Sequence, residues 1–391
     1  MKKIGLAVVT YVNNYGSFLQ SFATQQIIRN LGYNTEVINI DGVNATIKKA
    51  RKKYFLKRCF NINELKSYAV TIQGIVRAKL DKKYAKDINT RNRVFDSFRK
   101  EHFNFSPVFK TWDEMSALCQ QYAAVVVGSD QLWRPVNIEG DFYTLNFVPN
   151  EINKVAYSTS FGVSSLPKKT AEKAKRFLKR IDHLSVREAS GQKLVKELIG
   201  KDIPVVCDPT MLLSAEDWEK YVDEKPIVDA PYILCYFLGS NEEYLKFAKR
   251  MKQKKGMKIV GLVHCAGYNK HVDVYMDEMP FSAGPLEFIN LIKHAQYVLT
   301  DSFHCCVFSI LFKKDFFAFR RFADNDEMST NDRLVTLFDW TGIKGRLLNG
   351  TEDITDDLFS HIDYEYVMRR IQEKREDSMK YLTNALGDSH D

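Results

Sequence analysis

Apolar runs and polar breaks alternate along this chain in a β-α-β rhythm. Residues 3 to 9 form an apolar run, Asn13-Asn14-Tyr15-Gly16-Ser17 a polar loop. The stretch that follows sets Phe18, Phe22, Ile27, Ile28 and Leu31 at helical spacing before Gly32, a residue suited to a helix C-terminus. TEVINI, ending at Ile40, is a second predicted strand. Further on, QYAAVVVGSDQLWRP predicts a buried strand from Tyr122 to Val127 that stops at Gly128-Ser129-Asp130-Gln131. KVAYSTSFG (strand), PKKTAEKAKRFLKRI (helix) and HLSVRE (strand) come next, and a helix opens at Arg187-Glu188 and runs through Ile199. In IPVVCDPTMLL a strand is broken at Asp208-Pro209. The pattern then restarts with PYILCYFLG, a helix at 241 to 254, MKIVGLVH, a helix at 286 to 293 and QYVLTDSFH, and a long charged helix closes the chain at about 361 to 386.

The two sets predict an α/β fold of two doubly wound domains. The N-terminal one spans 1–210 with a helical insertion at about 44–105, the C-terminal one spans 211–355, and 356–391 form a helical tail. At 391 residues the chain is too long for one typical core, and a hydrophobic content of 45% with 27% charged residues is that of a globular protein. The opening MKKIGLAVVTYVNNYG has the lysines and apolar run of a leader, but the run is short and interrupted by Tyr11, Asn13 and Asn14, so it reads as a first strand. No other apolar run approaches bilayer length, and a soluble, cytosolic protein is expected. The seven cysteines show no C-x-x-C pair and no zinc spacing, which fits a reducing compartment.

Charge changes the picture at one place. Residues 48 to 100 carry 17 Lys/Arg against 4 Asp/Glu, a net of +13, so with +8 for the whole chain the remainder carries −5. Tyr54, Phe55, Leu56, Cys59 and Phe60 interleave with these charges, which predicts two or three amphipathic helices after the second strand. Such a face suits an anionic membrane surface, or is a solvated helical excursion; nucleic acid is the least favoured partner.

Candidate chemistry lies where predicted strands end, because ligands of open α/β sheets sit outside the carboxyl ends, beside helix N-termini that favour anions. VLTDSFHCCVFSILF, residues 298 to 312, reads as buried strand, short loop and buried helix, with Asp301, Ser302 and His304 at the handover. A plain helix cap and a core histidine fit the same residues. Ser129, Asp130 and Gln131 form a polar trio behind Gly128, or a simple turn. Arg187 can present its planar fork to a carboxylate or phosphate, or pair with Glu188. Trp133 offers a sugar-stacking face or a core side chain. Asp324-Asn325-Asp326 has the look of an acidic metal motif but sits in a polar loop, and no metal site is expected.

NNYGSFLQSFATQQIIRNLGY, VVVGSDQLW, SVREASGQKLV, CDPTMLL, TDSFHCCVFSILFKKDFFAF and NDRLVTLFDWTGIKGR together resemble the polysaccharide pyruvyl transferase family over about residues 1 to 350. The resemblance implies two Rossmann-like domains facing across a cleft, GT-B-like, and transfer of the enolpyruvyl unit of phosphoenolpyruvate to two sugar hydroxyls. Phosphoenolpyruvate is then a co-substrate, with no cofactor. Arg187 matches the arginine of the family's S-V-R-[DE] motif and His304 its R-L-H or S-F-H histidine, while Ser302 stands where many members carry a second arginine. The resemblance puts Arg187 and His304 near the donor; the fixed cations and N–H donors that a small anion needs add the Ser302 to His304 helix start and Arg333, with His304 as general acid or phosphate ligand. Asp130 is the candidate base or sugar hydrogen-bonder, and Asn14, Gly16, Ser129 and Gln131 are placed on the acceptor side. It also implies a sugar or lipid-linked oligosaccharide acceptor at the cytoplasmic face of a membrane, which would give the 48–100 segment a purpose. Two rivals stay open: a GT-B glycosyltransferase using a nucleotide sugar, and a non-catalytic membrane- or glycan-binding relative.

Overall fold

The structure is a computed structural model and describes residues 2–56, 76–77, 79–239, 241–262, 275–322 and 331–387. Two five-stranded sheets, all parallel, organise it. The first contains β1 (Lys3–Ala7), β2 (Asn34–Val37), β3 (Ala124–Val127), β4 (Asn153–Thr159) and β5 (His183–Val186), in the order β2-β1-β3-β4-β5. The second contains β6 (Tyr232–Tyr236), β7 (Lys258–Leu262), β8 (Tyr297–Thr300), β9 (Asp315–Phe319) and β10 (Leu347–Leu348), in the order β10-β9-β8-β6-β7. Central strands such as AVVV and YILCY are buried at every position, as parallel strands covered by helices on both faces must be.

In the first sheet the chain steps from β1 outward to β2 and then returns to β3 on the other side. In the second it steps from β6 to β7 and returns to β8. Each sheet therefore has a switch point, between β1 and β3 and between β6 and β8, where the loops diverge and leave a crevice at the carboxyl edge. The two crevices face each other, giving the GT-B-like pair of Rossmann-like domains that the sequence implies.

One apolar cluster joins the domains. Tyr15, in the first turn of the helix Tyr15–Asn30, stacks on Phe288 with ring centroids 4.7 Å apart, donates its hydroxyl to Ala283 O (3.0 Å) and accepts from Arg91 Nη2 (2.8 Å). The closing helix, Tyr364–Leu386, crosses back to the first domain. There Tyr381 Oη donates to Ala156 O (3.1 Å), and Cys207 N donates to Ser378 Oγ (3.0 Å). The contact between the domains is apolar at its centre, with residues of both in one buried cluster.

Two sequence expectations change here. The strand expected in IPVVCDPTMLL reduces to a single bridge between Val186 and Val205, because Pro204 can accept a ladder bond but has no N–H to donate. The 48–100 segment is only partly a surface excursion. Its helix Lys82–His102 buries Tyr84, Arg91, Phe95 and Phe98, with Phe95 edge-on to Phe18 at 5.1 Å, so its apolar stripe belongs to the core. The helix Asn44–Leu56 buries only Ile47. Residues 57 to 75, with Cys59 and Phe60, lie outside the described residues, as does Asp324-Asn325-Asp326.

Candidate active site

Val186 ends β5 as a buried apolar residue, and the next side chain, Arg187, comes off the carboxyl edge into the seam between domains, where it is 3% exposed. Its Nη1 donates to Asp208 Oδ2 (2.8 Å), and its guanidinium lies 4.3 Å from the centroid of the Phe303 ring, which comes from the other domain. Nη2 is 3.9 Å from Asp130 Oδ1, and Nε is 3.9 Å from Glu188 Oε2. Both are too far for a hydrogen bond, and among the described residues Nε and Nη2 have no hydrogen-bond partner. A buried guanidinium held by one nitrogen with two others unspent is built to receive a further acceptor.

His304 reaches the same carboxylate from the second domain. The helix Phe303–Leu311 is apolar all round and wholly buried, which fixes it behind the crevice. Its first turn sets His304 Nε2 3.4 Å from Asp208 Oδ2, without alignment for a hydrogen bond. The imidazole can stand there because residue 16 is glycine. A Cβ on Gly16 would lie 2.1 Å from His304 Nδ1, an impossible contact, so the N-terminus of Tyr15–Asn30 approaches the histidine only with no side chain at that position.

Asp208 is thus the hub. Oδ1 accepts from Thr210 N (3.0 Å) and Thr210 Oγ1 (2.7 Å), and Ser129 Oγ lies 2.7 Å from Oδ2. Burial alone would raise this carboxyl, but the charges of His304 and Arg187 and the bonds from Thr210 outweigh it and hold it far below the usual carboxylate range. Asp130 behaves alike: burial opposes, His304 and Arg187 prevail, and it too is held low. Its Oδ2 accepts from Ser17 Oγ (2.6 Å) and its Oδ1 from Gln131 N (2.8 Å). Asp130 sits at φ 80°, a left-handed conformation that non-glycine residues adopt at a cost, of the kind concentrated at functional sites. Glu188 differs. It is 1% exposed, Oε1 accepts from Phe161 N (3.2 Å), and burial pushes its carboxyl up despite Arg187, Ser160 and Arg333.

Arg333, in the first turn of Asp332–Thr341, has its guanidinium pulled down by burial and by repulsion from Arg187 and Arg321. Three guanidinium groups therefore crowd one region. Arg321 is tied to Asp301, with Nε donating to Oδ2 (3.0 Å) and Nη2 to the backbone oxygen (2.8 Å). The same carboxylate accepts from Leu238 N (2.6 Å) and Gly239 N (2.7 Å), so Asp301 clamps the loop after β6.

Several sequence candidates have structural occupations as well. Ser302 is the N-cap of its helix, its Oγ accepting from Cys305 N (3.4 Å), and Asn14 caps Tyr15–Asn30 through Ser17 N (3.1 Å). Gln131 packs against Gly162. Trp133 is wholly buried, donates Nε1 to Tyr143 O (3.0 Å) and packs on Phe161, so no sugar can stack on it. Cys305 and Cys306 are buried thiols pushed up by desolvation, inert as nucleophiles. Among the described residues no cluster of three His, Cys, Asp or Glu could hold a metal ion. Sequence reading did not single out Asp208, Glu188, Ser17 or Arg321 as site residues. The signal for Asp208 lay in CDPTMLL, where the aspartate reads as a turn-former until its partners are known.

Comparison with known proteins places this geometry in context. A family model described as polysaccharide pyruvyl transferase matches residues 14–321. Among solved structures the chain is similar to the UDP-GlcNAc 2-epimerase of Methanocaldococcus jannaschii, at 13% identity over 96% of this chain and 93% of that one, with a TM-score of 0.48. It is also similar to the glycosyltransferase SnogD of Streptomyces nogalater, at 12% identity over 98% of this chain and 99% of that one, with a TM-score of 0.46. No curated protein matches it.

Proposed function

Because the chain belongs to the polysaccharide pyruvyl transferase family, we propose that it moves the enolpyruvyl group of phosphoenolpyruvate onto two hydroxyls of a sugar, closing a pyruvate ketal and releasing phosphate. One observation carries this reading. Arg187 Nε and Nη2 from one domain and His304 Nε2 from the other are buried polar atoms without a hydrogen-bond partner among the described residues, and both side chains converge on Asp208. Such a pair grips a small, strongly charged donor across the seam, where fixed cations count for more than contact area.

In this reading Arg187 and Arg333 bind the donor's anionic groups. His304 protonates C3 of the vinyl group and recovers a proton as the first hydroxyl adds to C2. Asp130, whose two oxygens are already engaged and whose carboxyl is held low, is a poor base and a good acceptor, so its role is to orient a sugar hydroxyl. The test is incubation of the protein with phosphoenolpyruvate and candidate glycans, following phosphate release and ketal formation. Turnover with phosphoenolpyruvate is expected; turnover or thermal stabilisation with UDP-sugars alone would hand the site to a glycosyltransferase, and neither would indicate a non-catalytic binder.

The acceptor proposed is a lipid-linked saccharide at the cytoplasmic face of a membrane. Among the described residues no helix is long and apolar enough to cross a membrane, and the contact proposed is a peripheral one. The helix Asn44–Leu56 supports it, with Lys52 and Lys53 exposed beside Leu56, which is 64% exposed. Charge reversal at Lys52 and Lys53 is expected to reduce sedimentation with anionic vesicles at low salt; unchanged sedimentation would remove the membrane from the account.

A further inference from the structure

The proposed transfer has two protons to place, one at C3 and one at the departing phosphate. Two hydroxyl protons leave the sugar; one is made up on C3, and the other must reach phosphate, since the product is hydrogen phosphate. A proton-bearing group beside the anion, separate from the one that serves C3, would deliver that proton directly.

Glu188 stands at that place. Its Oε2 is buried, has no hydrogen-bond partner among the described residues, and lies 3.9 Å from Arg187 Nε, which also has none. The two orphaned atoms, one acceptor and one donor, lie side by side without bonding to each other. An oxyanion carrying one proton satisfies both: it accepts from Nε and shares its proton with Oε2. Nothing about helix capping uses this carboxylate, since Glu188 precedes the helix Ala189–Ile199 with no side-chain cap bond.

Resting on the reading above, we propose that Glu188 carries the proton of the anion site, giving it to phosphate as that group departs and, once deprotonated, making the site select hydrogen phosphate over sulfate. As the C2–O bond breaks, the bonding pair passes to the phosphate oxygen, which takes the Glu188 proton. The second sugar hydroxyl then adds to C2, and its proton returns to the Glu188 carboxylate. The charged groups facing Glu188 are Arg187 beside it in the chain and Asp332 and Arg333 from the helix packed opposite. The hydroxyl of Ser160 and the N–H of Phe161 face it from the loop after β4. Burial raises this carboxyl, as a group meant to hold a proton requires.

Inorganic phosphate and sulfate separate the possibilities without turnover. Above the raised Glu188 pKa the carboxylate repels sulfate, which has no proton to offer, while hydrogen phosphate brings its own. Calorimetric titration of the full-length protein should show phosphate binding roughly 10- to 100-fold more tightly than sulfate, the discrimination given by one buried charged hydrogen bond. Sulfate binding should recover as pH falls through that pKa and Glu188 gains a proton. Glu188→Gln, which can donate or accept, should bind both anions alike at every pH. Equal binding of both anions by the wild type at alkaline pH, retained discrimination in E188Q, or no binding of either anion overturns the proposal. The wild-type comparison stands even if E188Q does not fold. Failure of pyruvyl transfer with phosphate selectivity intact would sink only the proposed function, and transfer without selectivity only the role of Glu188.

Discussion

Replacing Arg187 with alanine is expected to lower turnover roughly a thousandfold and to abolish thermal stabilisation by phosphoenolpyruvate. The physical reason is that Nε and Nη2 have no hydrogen-bond partner among the described residues, while Nη1 is already given to Asp208. Arg187→Lys separates charge from geometry. A lysine restores one positive charge and can still reach Asp208, but it presents a point charge where a planar fork is needed, so it should recover folding and little of the donor binding. The measurement is a thermal-shift titration with phosphoenolpyruvate beside initial rates for wild type and both variants. Stabilisation of R187A equal to that of the wild type would show that the donor binds elsewhere.

Asp208→Ala should cost about 3 to 5 kcal/mol of stability, because it removes the carboxylate hydrogen-bonded to the buried Arg187 and 3.4 Å from the imidazole of His304, leaving the more distant Asp130 as their shared counter-charge. The effect carries a sign in pH. The folded carboxyl of Asp208 is held below its ordinary value, so its contribution is present above the unfolded pKa, about 4, and fades as pH falls through the depressed folded value. Chemical denaturation of wild type and D208A should therefore differ most near neutrality and converge in strong acid. A gap that stays constant down to acid unfolding would mean that Asp208 acts through packing rather than charge.

Both predictions concern residues whose partners lie far away in sequence, and this sets how much could be read without coordinates. Arg187 and His304 were legible because each follows a strand and opens a helix, and the end of an apolar run is a local signal. Ser302 reads as a donor ligand by the same logic, and the structure adds that its hydroxyl oxygen caps the helix by accepting from Cys305 N. Both roles follow from one local pattern, and only coordinates show the capping bond. Trp133 was ambiguous for a similar reason, since sugar-stacking and core tryptophans occupy the same kind of strand-end loop until burial is known. The apolar residues interleaved in 48–100 read as a membrane-facing or solvated helical surface, whereas in Lys82–His102 the core takes them through Phe18 and Tyr15.

By itself the sequence determined the β-α-β rhythm of both domains, the restart after Asp208-Pro209 and the identity of the cations at two strand ends, because apolar periodicity and strand-ending polar residues act over a few neighbours. The tertiary structure alone decided that Arg187 and His304 share one carboxylate, that Gly16 is what lets the histidine stand against the first helix, and that Glu188 is left with an unspent oxygen. Those relations depend on how two sheet edges meet, which is fixed by contacts such as Tyr15 on Phe288 between residues more than 250 positions apart, beyond the reach of any local pattern.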